Sequence, residues 1–395
     1  MARMDLPPSW TGPPGAGEPG RHLELPPWAP ILTDGVVRLR PHDLRDVEGV
    51  VAQCRDPQMQ RWTTVPVPYE RHHAVEWLRS RRAEWEAGRY LAFAVEAGGR
   101  FCGTVDLRPD GEGGARLGYG LGPWARGQGL LQQALRLLLP WGFSTLGLEV
   151  VHWEAVAGNW PSRRAAWRAG FRVEGTVRSW LAHRGGRYDA WIGSLRRDDP
   201  LRPAHPWFDV PVLEGLRVRL RPYRDEDLPR AVEACSDVVT RHWLGRLPSP
   251  YTPDDARAHL EQMTEDAAQG HSLCWAVAAA DDDRLVGEIA LFGLAAPGRS
   301  CEVGYWGHPA ERGRGFLTEA ARLAARHALL PLDVGGLGRP RLVLRAAAGN
   351  GASQRVAERA GFRRTGLDRR AELLGDGTAD DLVRFDLLPD EVVLP

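Results

Sequence analysis

Residues 117–131 read LGYGLGPWARGQGLL and join a predicted strand, a glycine turn and the start of an apolar helix. The turn itself is Arg126-Gly127-Gln128-Gly129, and the helical pattern begins at Leu130. Because glycine has no Cβ, the backbone N–H groups of such a turn can converge, and the helix start adds partial positive charge. The turn is therefore predicted to form a nest for a di-anion such as a pyrophosphate. It follows the fourth predicted strand, whereas a dinucleotide-binding fold would carry its glycines after the first.

The same stretch recurs as residues 303–317, VGYWGHPAERGRGFL, and other segments recur in the same order. The further matches are 38–41 with 219–222, Trp62 with Trp243, Gly158-Asn159-x-x-Ser162 with Gly349-Asn350-x-x-Ser353, and 169–171 with 360–362. A period of about 180 residues is too long for a solenoid repeat, so each copy is predicted to fold as its own domain.

The repeat gives a domain plan and a fold class. We predict a Pro/Gly-rich N-terminal arm at 1–30, copy one at 31–200, a linker at 201–212 and copy two at 213–395. Each copy reads as strand, two helices, three strands, helix, strand, helix and two strands. That order predicts an α/β domain with a mixed central sheet of about six to seven strands, flanked by about four helices.

Composition excludes several classes of enzyme. The chain has no lysine, so all 51 basic Lys-or-Arg positions are arginine. A Walker-type phosphate loop, a protein-kinase site and a lysine Schiff-base enzyme each need a lysine and are excluded. The formal net charge is zero, which gives no bulk electrostatic case for binding nucleic acid or an anionic membrane.

The cysteines and the hydropathy pattern indicate where the protein works. The five cysteines are widely spaced and show no zinc-ligand or redox-motif spacing, which predicts free thiols in a reducing cytosol. Neither a signal peptide nor a membrane span is predicted, since no long apolar run occurs. His72-His73 has no third ligand at a suitable spacing, so no metal site is predicted.

The joint pattern of Arg-x-x-Gly after a Gly-Tyr strand, then Asn-x-x-Ser, then Ala-Gly-Phe, resembles the GNAT superfamily of acetyl-CoA-dependent N-acetyltransferases. Within it, the chain is most similar to the branch that acetylates the N-termini of ribosomal proteins. The resemblance covers 31–200 and 211–395 and implies a splayed sheet, with acetyl-CoA as co-substrate. It assigns the pyrophosphate to the glycine turns, namely Arg126, Gly127, Gln128, Gly129, Leu130 and Leu131, and Arg312, Gly313, Arg314, Gly315, Phe316 and Leu317. Leu131 and Leu317 depart from the superfamily consensus, which has Gly or Ala there.

The resemblance also implies the proton donors. It places the Gly-Asn-x-x-Ser element beside the pantetheine arm of CoA, where Ser162 and Ser353 would protonate the leaving thiolate. Asn159 and Asn350, the only asparagines in the chain, belong to the same element and are included as catalytic candidates. A purely structural role, in which the asparagine ends a strand and the serine caps the next helix, explains the pattern equally well.

The proton acceptor differs between the copies. Amide formation needs a neutral amine, and a positioned carboxylate that takes its proton contributes ~10²–10⁴-fold in rate. The family often carries a Glu two residues before the strand Gly, which is Glu302 in copy two. Copy one has Arg116 there, which cannot act as a base. Asp106 and Glu154 are the alternative carboxylates of copy one, although a carboxylate on a strand is more often simply solvated and has no catalytic role.

The resemblance places the loop between the first two helices beside the acceptor. Trp62 and Trp243 occupy matching positions in that loop, and Tyr119 and Tyr305 lie in the matching Gly-Tyr strands; all four are predicted to line the acceptor pocket. Core packing is the simpler explanation for any single tryptophan. Taken together, an aromatic rim favours a flat, peptide-like or aromatic amine.

These observations predict direct transfer of an acetyl group from acetyl-CoA to a primary amine, on a peptide N-terminus or a small molecule. Three alternatives stay open. Copy one is a non-catalytic acyl-CoA-binding or structural half that regulates copy two; the whole protein is a pseudo-enzyme; or it is an aminoacyl transferase, against which the neutral charge argues mildly.

Overall fold

The structure is a computed structural model, and it describes residue 26 and residues 28–392. The predicted N-terminal arm therefore lies almost entirely outside the described residues. The chain divides into two compact units, with the division between Ala204 and His205, inside the predicted linker. Unit one holds copy one of the repeat, and unit two holds copy two.

Unit one contains eight strands and five α-helices among its described residues. Its strands are β1 (Leu32–Thr33), β2 (Val37–Arg40), β3 (Leu91–Ala97), β4 (Arg100–Pro109), β5 (Gly114–Leu121), β6 (Val150–Val156), β7 (Arg172–His183) and β8 (Gly186–Arg196). Its helices are α1 (Val47–Arg55), α2 (Pro57–Trp62), α3 (Arg71–Glu86), α4 (Leu130–Thr145) and α5 (Trp160–Arg168).

Unit two repeats this series among its described residues. Its strands are β9 (Leu213–Glu214), β10 (Val218–Arg221), β11 (Ser272–Ala279), β12 (Leu285–Phe292), β13 (Cys301–Gly307), β14 (Leu342–Ala347), β15 (Arg363–Leu373) and β16 (Ala379–Leu387). Its helices are α6 (Leu228–Ser236), α7 (Val238–Trp243), α8 (Pro253–Ala268), α9 (Phe316–Leu329) and α10 (Gly351–Ala360).

Each unit forms one mixed sheet. The strand order is β1-β2-β3-β4-β5-β6-β8-β7 in unit one and β9-β10-β11-β12-β13-β14-β16-β15 in unit two. All neighbouring strands are antiparallel except β5 with β6 and β13 with β14, which are parallel. The α/β class and the mixed sheet agree with the prediction; the extra strand in each unit is the two-residue edge strand, and the extra helix is the short α2 or α7.

Helices cover both faces of each sheet. In unit one, α4 and α5 pack on the face that carries Phe93, Val105 and Trp153, and this layer is the main core. Residues of opposite parity on the same strands face α1 and α3, because successive side chains of a strand point to opposite faces. Thr104 accordingly contacts His42 on that second side. Unit two has the same layers, with α9 and α10 on the core face and α6 and α8 on the other.

A buried ion pair fixes the first strand of each unit to the segment that follows it. Two Arg40 nitrogens, Nη1 and Nη2, donate to the two carboxylate oxygens of Asp46 at 2.8 and 2.7 Å. Arg221 and Asp227 repeat the arrangement at 2.7 and 2.9 Å. Such a bidentate pair fixes geometry as well as charge, and it explains why the sequence repeats Arg-Leu-Arg-Pro followed by an aspartate.

Two further properties concern the described chain as a whole. All five cysteines are buried free thiols. Within residues 28–392, no helix is both long enough and apolar enough to cross a bilayer.

Candidate functional site

The predicted site residues gather where the two parallel strands of each sheet separate. In unit one, β5 pairs with β6 only from 114 to 116 on β5 and from 150 to 152 on β6. In unit two, β13 pairs with β14 only from 301 to 303 and from 342 to 344. Beyond those residues the two strands no longer pair, and they diverge. We call this opening the splay.

The glycine turns form the predicted nests at the starts of α4 and α9. Gly127 and Gly129 have φ values of +74° and +75°, and Gly313 and Gly315 have +76° and +80°. This left-handed conformation favours glycine because other residues carry a Cβ that is strained there. A Cβ added at Gly127, Gly129 or Gly313 would meet no atom within 4 Å. Open space therefore faces helix N-termini, whose first N–H groups lack intrahelical partners.

The first arginine of each nest is bound to an aspartate of the preceding helix pair. Arg126 Nη2 donates to Asp56 Oδ2 at 2.6 Å, and Arg312 Nη2 donates to Asp237 Oδ2 at 2.6 Å. Both aspartates also cap the short helices α2 and α7. Each arginine thus ties its nest to the segment that carries Trp62 or Trp243. Sequence reasoning missed these aspartates, although each precedes its tryptophan at the same spacing.

The remaining nest residues are held locally. Gln128 Nε2 donates to the Trp124 carbonyl at 2.8 Å, and Arg314 Nη1 donates to Glu311 Oε2 at 2.5 Å. Leu130 and Phe316 begin their helices and are buried. Leu131 and Leu317, which depart from the superfamily consensus, pack against the core clusters of their units.

The asparagines cap the helices that begin at the splay. Asn159 Oδ1 accepts a hydrogen bond from the Ser162 N–H at 3.3 Å, and Asn350 Oδ1 accepts one from the Ser353 N–H at 3.1 Å. Asn is among the residues that cap helix N-termini best, because its side-chain oxygen satisfies an otherwise unpaired donor. The asparagines therefore position the serines.

Each serine hydroxyl faces the tyrosine of the Gly-Tyr strand. Tyr119 OH lies 3.0 Å from Ser162 Oγ, and Tyr305 OH lies 3.2 Å from Ser353 Oγ. In unit one, Trp153 Nε1 also donates to Ser162 Oγ at 3.1 Å. Burial raises the pKa of Tyr305 to about 12 and raises that of Tyr119 further, so both tyrosines keep their protons at neutral pH. The hydroxyls of the two tyrosines therefore lie at the serines, on the core face.

The paired tryptophans lie beside the Gly-Asn elements. A Cβ placed on Gly158 would lie 3.9 Å from the Trp62 ring, and one on Gly349 would lie 3.2 Å from the Trp243 ring. The closing hairpin borders the same segment in both units. Arg184 Nη2 donates to the Gln60 carbonyl at 3.0 Å, and the Gly375 N–H donates to the His242 carbonyl at 2.8 Å.

A carboxylate faces the other side of each sheet at the base of the splay. In unit two, Glu302 pairs with Arg345, whose Nε donates to Oε1 at 2.9 Å, and the Glu302 side chain is 32% exposed. It lines a cleft of about 420 Å³ whose other charged lining residues are Arg341, Arg345, Asp368 and Arg384.

In unit one the corresponding Arg116 pairs with Glu154, at 3.4 Å between Nη1 and Oε1. Asp106 is buried on the next strand, where burial raises the pKa of its carboxyl. It accepts hydrogen bonds from Arg108 Nε at 2.9 Å and from Tyr90 OH at 3.3 Å.

The two chemical functions therefore border the splay from opposite faces. Hydroxyl donors lie on the core side, and carboxylates lie on the side of the first helices. A thioester held between the strands could lose its thiolate toward the serine while an amine approaches from the carboxylate side. Within the described residues, no group of three or more His, Cys, Asp or Glu side chains could hold a metal ion.

Comparison with known proteins gives a consistent result. The family model described as "Acetyltransferase (GNAT) domain" matches residues 37–172 and again residues 217–363. YjcK of Bacillus subtilis (strain 168), named as a probable N-acetyltransferase, is 26% identical over 184 residues, which span 46% of this chain and 99% of that protein.

Two solved structures are also similar. RimJ of Mycobacterium smegmatis in complex with CoA-disulfide is 24% identical with a TM-score of 0.40, covering 44% of this chain and 90% of that one. A GCN5-related N-acetyltransferase from Brucella melitensis is 27% identical with a TM-score of 0.40, covering 47% and 82%.

Proposed function

The chain belongs to the GNAT acetyltransferase family, and we propose that it transfers the acetyl group of acetyl-CoA directly to a primary amine. The observation that carries this proposal is the repeated nest of left-handed glycines at a helix N-terminus beside a splay. Helix N-termini with converging N–H groups bind phosphates without needing a lysine. That property suits a chain that has arginines but no lysine.

In unit two the proposed proton transfers use Glu302 and Ser353. Glu302 takes a proton from the ammonium form of the acceptor, directly or through water, and the neutral amine then attacks the thioester carbonyl carbon. The C–N bond forms as the C–S bond breaks. Ser353 gives its proton to the thiolate and regains one from the protonated Glu302 through water, while the second proton of the nitrogen leaves to solvent. The hydroxyl of Tyr305 lies 3.2 Å from Ser353 Oγ.

The acceptor is proposed to be an amine on a peptide N-terminus or a small molecule. Trp243 lies beside Gly349 of the Gly-Asn element, and Glu302 lines the charged cleft. An aromatic wall beside charged groups suits a flat or peptide-like amine that carries polar substituents. The five free thiols fit a reducing compartment such as the cytosol.

The test is acetyl-CoA turnover on a panel of peptides and small amines, measured as the release of free CoA. Wild type is expected to turn over at least one class of amine. Absence of turnover across the panel, together with absence of CoA binding in calorimetry, would overturn the proposal.

Glu302→Gln tests the assigned base in a chain whose unit one is disabled at its nest by Gly129→Val. We expect kcat to fall by ~10²-fold or more, since general base catalysis is worth ~10²–10⁴-fold. Glu358→Gln is the matched control, because Glu358 is an exposed carboxylate on α10, on the core-face side of the sheet. Equal activity of Glu302→Gln and the control would remove Glu302 from the mechanism.

A further inference from the structure

The base of the splay carries the same ion pair in both units with its two charges exchanged. Arg116 and Glu302 are matching positions of the repeat, and each has a directly opposite partner in the parallel register, His152 for Arg116 and Val343 for Glu302. Two residues beyond those partners stand Glu154 in unit one and Arg345 in unit two. Arg116 pairs with Glu154, and Glu302 pairs with Arg345, so each unit keeps one carboxylate and one guanidinium.

The exchange moves the carboxylate toward the opening. A strand advances by about 3.3 Å per residue, so the backbone of Glu154 lies about 6–7 Å further along its strand than the last position opposite Arg116. That distance takes it from the paired part of β6 into the part that has separated from β5. The Glu154 side chain is 27% exposed, close to the 32% of Glu302. Its carboxylate is therefore as accessible as that of its counterpart.

The surroundings of Glu154 orient its carboxylate. Oε1 faces Arg116, and Oε2 accepts a hydrogen bond from Trp180 Nε1 at 2.9 Å. Trp180 belongs to the closing hairpin and is half exposed. In unit two the position after the matching positive-φ residue, Arg370, is Ala371, whose side chain has no hydrogen-bond donor. In unit one, therefore, the Glu154 carboxylate is fixed by two side chains, one of which is aromatic.

Asp106 is the competing carboxylate in unit one, and its environment is unsuited to meeting a substrate. Its side chain is 5% exposed, against 27% for Glu154. Its two oxygens already accept hydrogen bonds from Arg108 and Tyr90. A Cβ on Gly118 would also lie on top of its carboxylate, so the backbone of β5 closes over it. An amine would have to displace these partners to reach Asp106.

We propose that unit one is a second acetyltransferase site in which Glu154, on the strand across the splay, is the catalytic base that replaces the carboxylate missing at Arg116. This inference rests on the proposed function. Glu154 accepts a proton from the ammonium group, the amine nitrogen forms a bond to the acetyl carbon, and the C–S bond breaks. Ser162 protonates the thiolate and regains a proton from Glu154 through water, and the second nitrogen proton leaves to solvent. The products are the acetamide, free CoA and one released proton.

The experiment uses the full chain with unit two disabled by Glu302→Gln and Gly315→Val together. In this background, amine acetylation is monitored through the release of free CoA, with and without Glu154→Gln, Asp106→Asn or Glu174→Gln. Glu174 lies on β7, where it accepts a hydrogen bond from Ser194, and serves as the matched control. Calorimetry with CoA reports whether each variant still binds the co-substrate.

We expect the background to be active, Glu154→Gln to lower kcat by ~10²-fold at pH 6.5, and CoA affinity to stay within threefold. A base is dispensable once the amine is neutral, and α-amino groups have pKa values of about 7.7–8.0. The defect is therefore expected to shrink to within about threefold at pH 9.5, which a merely structural role would not produce.

Three results would overturn the assignment. The first is an inactive background that still binds CoA at unit one while wild type is active. The second is a kcat defect of Glu154→Gln that is equal at every pH. The third is full activity of Glu154→Gln with loss of activity in Asp106→Asn. Failure of the proposed function is a separate result, because wild type itself would then show no turnover with any amine.

Discussion

At the base of the splay, unit one carries its guanidinium on β5 and its carboxylate on β6, whereas unit two carries its carboxylate on β13 and its guanidinium on β14. The backbone register is the same in both, and so is the net charge of the pair. The comparison shows that both units keep the two charges together on one face of the sheet, and that either strand can supply either charge.

The two nests also differ in the charged side chains around them. Unit two adds Arg314, which pairs with Glu311, where unit one has Gln128 and Ala125. It also adds Arg217, which pairs with Glu319 at 3.2 Å, where unit one has Val36 and Gln133. Arg217 has its own carboxylate in Glu319, whereas Glu311 is shared by Arg314, Arg284 and Arg230. The surroundings of the nest are therefore more strongly ion-paired in unit two than in unit one.

The largest expected effect is on stability and comes from the buried ion pairs. Asp46→Asn and Asp227→Asn each leave an arginine buried without its bidentate partner, which costs ~3–5 kcal/mol of unfolding free energy. The loss is expected to be greater in unit two. Arg40 retains Glu96, whose side chain is 14% exposed, whereas Arg221 retains Asp283, which is 33% exposed and better screened by water.

The buried cysteines make this measurement specific to each unit. In a urea titration, a thiol reagent labels Cys54 and Cys102 when unit one opens, and Cys235, Cys274 and Cys301 when unit two opens. Glu48→Gln is the control, because the Glu48–Arg71 pair is exposed and such pairs contribute ~0–1 kcal/mol. Equal losses for the two aspartates and the control would show that the buried pairs add nothing to stability.

The second prediction concerns CoA binding by the two nests. Gly129→Val and Gly315→Val each place a branched side chain on a left-handed backbone at the helix start, and each is expected to weaken CoA binding at its own unit by ~100-fold, or about 2.7 kcal/mol. Calorimetry should then count one CoA per chain in place of two. Gly98→Val, at a turn with φ of +55° and open space around it, is the control for backbone strain alone. A stoichiometry of two in both nest variants would place the CoA site elsewhere.

The sequence predicts the backbone of the site better than its side-chain partners. The nests, the helix starts and the caps depend on short stretches such as Gly127–Gly129, whose conformation follows from local chemistry. The pairing of Arg116 with Glu154 joins residues far apart in the chain, and only the parallel register of β5 with β6 brings them together. Nothing in the local pattern around Arg116 indicates that partner.

The tyrosines illustrate the same limit. The sequence places Tyr119 and Tyr305 in strands that lead to the glycine turns, and an aromatic residue there suits an acceptor pocket. Which face each side chain takes depends on strand parity relative to α5 and α10, and the structure directs both hydroxyls to the serines. The acceptor role of these tyrosines stays a prediction.

The third prediction tests the link between the nests and the short helices. Asp56→Asn and Asp237→Asn keep a side chain that can cap the helix but remove the charge that holds Arg126 or Arg312. Partly exposed ion pairs contribute at most ~1 kcal/mol, so we expect the KM for acetyl-CoA to rise by about fivefold for Asp56→Asn. The rise for Asp237→Asn should be smaller, because Arg312 also donates to Thr240 Oγ1 at 2.8 Å. Larger effects in unit two than in unit one would contradict this order.

The smallest expected effect is an opposite response of the two units to pH. Burial lowers the pKa of His42, although Asp46 opposes the shift, so His42 is neutral in the folded state. As the pH falls through the unfolded value of about 6.5, the unfolded chain gains a proton that the folded chain does not, and unit one loses stability. A hydrogen bond to Glu288 raises the pKa of His259, against the effect of burial. Its contribution is full below about pH 6.5 and is lost as the pH rises through the folded value, so acidification favours unit two.

The urea midpoint of each unit is measured at several pH values between 8 and 5.5. The midpoint is read by the same cysteine labelling, which is done as a pulse at one fixed pH. His259 is about half exposed, so its contribution is expected to stay below about 1 kcal/mol and to vanish in His259→Gln. His259 can pair with Glu288 because unit two has a carboxylate where unit one has Thr104, which contacts His42 and carries no charge. Glu288→Gln should therefore abolish the acid-side gain of unit two while leaving the slope of unit one unchanged. Parallel slopes in the two units of the wild type would mean that other titrating groups outweigh these histidines, and that the charge difference between the two polar clusters has no consequence for stability.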